Sequence, residues 1–135
     1  MRDWPGARNA GRVVEFADAR SESAGESLAR IVMDAAGLPR PALQVVLITG
    51  DRVDFLFEEQ FTVVEFDGKQ KYGRLLGPND DPAEIVWREK KREDRIRELG
   101  YEVIRITWAD LADVERLGRR IRRAFERARR RGSRY

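Results

Sequence analysis

The chain contains neither cysteine nor histidine. Their absence excludes disulfides, thiolate zinc sites and thiol nucleophiles. It also excludes a Ser-His-Asp triad and every nuclease mechanism that depends on an imidazole. Catalysis by these 135 residues would have to use carboxylates, lysine, arginine, hydroxyls or a cation held by oxygen. A site built from carboxylates favours Mg²⁺ or Mn²⁺. Lysine is scarce too, with four against 23 arginines, and all four (Lys69, Lys71, Lys90 and Lys91) fall between residues 69 and 91. Long apolar runs are missing: none approaches the length that crosses a bilayer. The opening MRDWPGARNAG lacks the hydrophobic segment of a signal peptide, so the expected location is cytoplasmic.

What remains is a charged chain of single-domain size, 38% charged and 41% apolar, with a net charge of +3. The basic excess is concentrated at the end, in GRRIRRAFERARRRGSRY, where Glu126 is the one acid. Such a face suits a polyphosphate partner or is a solvated helix.

Periodicity predicts the order α, α, β, β, β, α, β, α. Residues 6–18 read as a first helix. A second begins at Ser23, where Ser23 and Glu26 have capping-box spacing, and ends at Gly37 and Pro39. Strands are expected at 43–49, 52–57, 61–67 and 101–107. A helix over 82–99 starts from Asp81 with Pro82 at its first position. A last helix begins near Asp110. Strands two and three are close enough to form a hairpin, and strand four should lie parallel to strand three after a crossover helix. The fold class is α/β: a four-stranded mixed sheet flanked by helices. Residues 1–20 would be an N-terminal helix, a possible remnant of a linker to an upstream domain, and 21–135 a single domain ending in the basic helix.

The stretch VVEFDGKQKYG places Glu65 and Asp67 on one face of a strand and lysines just beyond it. A two- or four-residue connection would set Asp54 opposite Glu65; a three-residue loop would put them on opposite faces. In the first case the carboxylates would repel unless a cation lay between them. Asp54, Glu65 and the Phe66 carbonyl could then ligate Mg²⁺ or Mn²⁺, with Asp67 binding directly or holding a water. The alternative is a solvent-exposed polar strand end. Glu26 either serves such a site or caps its helix. Glu89 and Arg92 either pair against the sheet or face a phosphate. Trp87 and Trp108 read as core.

RVDFLF, VVEFDGK, WREKKREDRIRELG and YEVIRITWADL, in this order, resemble the very-short-patch-repair (Vsr-like) endonuclease domains of the PD-(D/E)xK superfamily. The likeness is to the Vsr-related domain of unknown function at the C-terminus of bacterial proteins, several of which begin with an AbiEi-type antitoxin-like domain. It covers about residues 21–112 and implies a restriction-endonuclease-like core. The family's acidic positions match Glu26, Asp54, Glu65 and Asp67, and its helix pattern matches Trp87, Lys90, Asp94 and Arg95. Asp67 stands where the superfamily's E-x-K lysine would be, so Lys69, Lys71 or Lys90 would replace it. The resemblance implies a Mg²⁺-dependent DNA endonuclease. Lys69, Lys71, Lys90, Lys91, Arg92 and Arg95 would contact nucleic acid. The alternative is an inactive nuclease-like module that binds DNA or a toxin or other protein. The opening residues look like the middle of a longer relative.

Overall fold

A computed structural model describes residues 14–68 and 81–132, with side chains from Ser23 onward. Alternating strand residues divide its apolar side chains between two clusters, one on each face of a sheet. The elements are α1 (Val14–Ala35), β1 (Ala42–Val46), β2 (Arg52–Phe57), β3 (Thr62–Phe66), α2 (Pro82–Glu98), β4 (Glu102–Ile106), α3 (Trp108–Leu111) and α4 (Val114–Gly132). The sheet order is β1-β2-β3-β4; the first three strands are antiparallel and β4 is parallel to β3. This is the mixed α/β architecture expected. Phe55, Phe57, Val64, Phe66, Ile104 and Ile106 pack on one face against Ala29 and Met33 of α1 and Leu117 and Ile121 of α4. On the other face Val53, Leu56, Val63 and Val103 pack with Ile96 of α2. Three layers result, with α1 and α4 on one side and α2 on the other.

The elements differ from expectation where local signals compete with packing. Ser23 is no N-cap: α1 runs through it without a break and also spans the expected boundary at residues 20 and 21. Gly25 sits inside this helix, where glycine normally costs about 1 kcal/mol. It is accommodated because the Phe66 ring packs directly on its backbone, in the space a Cβ would need. The capping-box role of Glu26 therefore falls away. The C-terminal end of α1 is as expected: Gly37 takes φ +80°. Leu38 N–H donates to Met33 O and Gly37 N–H to Asp34 O, a Schellman closure. β1 stops at Val46 because Leu47 and Asp51 close a turn through Gly50, at φ +92°. Asp81 caps α2 through Ala83 N–H at 3.1 Å. Thr107 and Asp110 form a capping box that starts α3, so the last helical region is split in two. Trp87 is 58% exposed rather than core, and Trp108 lies at the rim with its ring edge-on to Phe66.

Candidate active site

The hairpin connection has four residues, since Phe57 pairs with Thr62. The ladder Phe55↔Val64, Leu56↔Val63 has the register that would, one step further, set Asp54 opposite Glu65, one of the two left open. Register alone does not decide where the carboxylates go. Gln44 of β1 lies opposite Asp54, between the pairs Leu43↔Phe55 and Val45↔Val53, and takes φ +49°. Glutamine rarely adopts this left-handed backbone. The alternation of β2 slips at the same place: Val53 joins the α2-side cluster with Leu56 instead of the α1-side cluster of Phe55.

The slip carries Asp54 toward the α1 layer. Its Oδ2 accepts from Phe66 N–H at 2.9 Å. Its Oδ1 accepts from Gln44 Nε2 at 3.4 Å, and the same nitrogen donates to Glu26 Oε1 of α1 at 3.2 Å. Two carboxylates from different elements therefore converge on one nitrogen. Asp67 follows Phe66 as the ladder leaves the sheet, its N–H donating to Ile106 O at 2.8 Å.

Glu65 is committed to the opposite layer. It is 8% exposed and accepts two bonds from Arg92 of α2, at 2.9 and 2.6 Å, while Arg92 also donates to Arg52 O at 2.6 Å. A buried carboxylate needs a cation, and here the guanidinium supplies it. The hydrogen bonds to Glu65 raise the Arg92 pKa above its ordinary value despite burial. The structure thus brings Glu26 and Asp54 together and holds Glu65 apart from them. Among the described residues no group of three His, Cys, Asp or Glu side chains is placed to hold a metal ion.

The other expected site residues take different places. Lys69 and Lys71 lie outside the described residues. Lys90 is exposed on α2, and Lys91 stacks over the Trp87 ring at 4.7 Å. Glu89 approaches Arg92 only to 4.0 Å and pairs instead with Arg105 of β4 at 3.0 Å. Arg95 makes a two-pronged pair with Asp51, at 3.1 and 2.9 Å. Arg92 and Arg95 are therefore both engaged within the chain. The residue missed from sequence is Gln44, whose one available signal was an amide within the apolar run LQVVLIT.

Asp51 offers a test of the Arg95 contact. Hydrogen bonds from Arg95 and then Thr49 lower its pKa from 3.8 to about 2. A depressed folded-state pKa stabilises the fold fully above the unfolded value and loses that contribution as pH falls through the folded value. Asp51→Asn should therefore lower stability at neutral pH. It should also flatten the slope of unfolding free energy against pH between 3.8 and about 2, measured by urea unfolding across that range. An unchanged slope would show that the pair does not persist in solution.

No family model matches the chain. It is 36% identical over 122 residues to two Mycobacterium tuberculosis proteins, both described as uncharacterized: Rv2248 of strain H37Rv and MT2308 of strain CDC 1551. Each match takes in 87% of this chain, which spans 42% of the relative's length. Among solved structures, the catalytic domain of the homing endonuclease I-Bth0305I superposes with a TM-score of 0.56 at 16% identity, covering 77% of this chain and 95% of that domain. The chain therefore has an endonuclease-like fold.

Proposed function

We propose that this chain is a metal-dependent, endonuclease-like domain acting on DNA phosphodiester bonds, related to the Vsr-like group and working in the cytoplasm. The observation that carries this reading is the convergence of Glu26 and Asp54 on the Gln44 amide nitrogen, in a fold shared with a homing endonuclease catalytic domain. Two hard oxygen donors that already share one positively polarised neighbour have the chemistry of a Mg²⁺ or Mn²⁺ site. Asp54 and Glu26 would hold the ion, with Asp67 beside them at the end of β3. When bound, such an ion lowers the pKa of water and offsets charge on the phosphate oxygens.

The protein's own groups contribute orientation and charge. Phe66 N–H fixes Asp54 through Oδ2. The Gln44 amide would swing aside or bind a phosphate oxygen when the carboxylates turn to a cation. Lys69 and Lys71, two and four residues beyond Asp67, are the lysines proposed to face the scissile phosphate, where an ammonium stabilises developing negative charge. Lys90 projects from α2, the layer that holds Glu65, and is the weaker candidate. Glu65 serves this reading as the anchor for α2 through Arg92.

The pairing of Glu65 with Arg92 also favours a second reading. In it the domain keeps a nuclease-like fold but binds DNA, or a toxin or other protein, without cutting. Calorimetric titration with Mn²⁺ tests the first. The wild type should bind, Asp54→Ala should lose the heat, and Glu65→Gln should retain it if the protein stays folded. Metal-dependent nicking of plasmid DNA that disappears in Asp54→Ala would then establish cutting. Mn²⁺ binding that ignores Asp54, or no nicking at all, would leave the non-cutting module.

A further inference from the structure

On the far edge of the sheet from Gln44, β4 and α4 form a groove of about 640 Å³ floored by Val103 and Ile104. One wall is a stripe along α4: Arg116, Arg119, Arg120, Arg123 and Arg127. Their spacing of three and four residues places them on one helix face. The opposite wall carries Arg97 and Arg105 with Glu93 and Glu102. Seven guanidiniums against two carboxylates leave the lining at +5.

The charges are not equally available. Glu102, 5% exposed, accepts from Arg127 at 2.7 Å and Arg131 at 2.6 Å, and Arg97 stands 3.9 Å away. Arg105 is taken by Glu89, and Arg120 by Asp110 at 3.3 Å. Arg116, Arg119 and Arg123 have no side-chain partner among the described residues. All three are exposed on the same face. A solvated helix would suffer nothing from scattering its arginines among acids, as the Glu126, Arg129 and Arg130 cluster does further along. Three unneutralised guanidiniums beside four partly neutralised ones instead form a field that lacks its anion.

We infer that the α4 groove is a binding site for the phosphate backbone of duplex DNA, separate from the carboxylate site. From Arg116 to Arg127 the helix rises about 16 Å. Duplex DNA presents one negative charge per about 1.7 Å of axis, so several phosphates fall within reach of the stripe. Guanidinium forks match phosphate oxygens. Among the described residues the groove lining holds no Asn or Gln, and its two acids, Glu93 and Glu102, are paired with arginines, so the contact would hold the duplex irrespective of sequence. The choice of DNA as the polyanion rests on the function proposed above; the geometry of the groove does not.

The test is fluorescence anisotropy with a short labelled DNA duplex in EDTA, across a series of salt concentrations. The Arg116→Gln/Arg119→Gln/Arg123→Gln variant should bind about 10-fold or more weakly, and its log affinity against log salt should be shallower by about 3, one unit per lost contact. Arg129→Gln/Arg130→Gln removes charge from the same helix outside the groove and should change the slope by less than about 1. All the replaced side chains are exposed, and matching unfolding curves would verify that the fold is kept. Equal losses in the two variants would overturn the proposal, as would a wild type that prefers single-stranded RNA or binds no duplex. Because the assay needs no metal, it reads the groove independently of the carboxylate site. A groove effect without Asp54-dependent Mn²⁺ binding would leave the groove standing and remove the cutting activity; the converse would remove the groove alone.

Discussion

Arg92→Ala should cost about 3 kcal/mol of folding free energy at neutral pH, read from urea unfolding. Glu65 is a carboxylate on the α2 face near the end of β3, with 8% of its surface exposed. Its compensation is the two-pronged contact with Arg92. Removing the guanidinium leaves a buried charge without its partner and deprives Arg52 O of its donor as well. The low end of the usual range for a broken buried pair applies, because Arg92 is itself 21% exposed and Glu65 also acts on Arg105. Replacing both partners together, Glu65→Leu/Arg92→Leu, should recover most of the loss, since no charge is then stranded. If Arg92 were instead a free nucleic-acid contact, Arg92→Ala would weaken DNA binding and leave the unfolding midpoint where it was.

Phe66→Ala should be the other large effect, about 4 kcal/mol, as expected for deleting a ring from a packed core. Phe66 is 5% exposed, sits on Gly25 of α1 and meets Trp108 edge-on at 5.2 Å between ring centroids. Gly25→Ala should destabilise for the opposite reason. The gain in helix propensity, about 1 kcal/mol, is outweighed by a methyl driven into the ring, leaving a net loss of about 1–2 kcal/mol. The two losses should not add: in Gly25→Ala/Phe66→Ala the new methyl enters the vacated space, so the double variant should fall short of the sum by about 1–2 kcal/mol. Strict additivity would mean that α1 does not close on β3 through this pair. If Glu26 holds a cation as proposed above, Gly25→Ala next to it should also shift Mn²⁺ affinity even where the protein remains folded.

These two pairs mark where sequence reasoning succeeds and where it stops. The strands, the cap at Asp81 and the closure at Gly37 could be read because each depends on neighbours in the chain, and the parallel fourth strand because a helix crosses between it and β3. The Asp54 and Glu65 register was one of two that loop length allows. Their separation to different layers was not legible. It depends on Gln44 adopting a backbone conformation that its residue type disfavours, and on the rotation of α2 that aims Arg92 at Glu65. Glu65 is buried and does meet a cation, but that cation is an arginine 27 residues away in the chain, which no local pattern announces. Likewise Ser23 and Glu26 carry a helix-start pattern, and only the ring of Phe66, 41 residues beyond Gly25 in the chain, explains why the helix passes straight through.

The left-handed Gln44 also bears on how molecules of this protein meet one another. β1 is an outer strand of the sheet, Leu43 and Val46 are exposed, and Ile48 just beyond it is 89% exposed. A straight strand of that composition would be an open template for chain-to-chain growth. At Gln44 the peptide planes turn out of line, leaving two aligned residues on either side. An incoming segment could match one half of the strand but not both, so the turn at Gln44 should disfavour fibril-like addition along this edge.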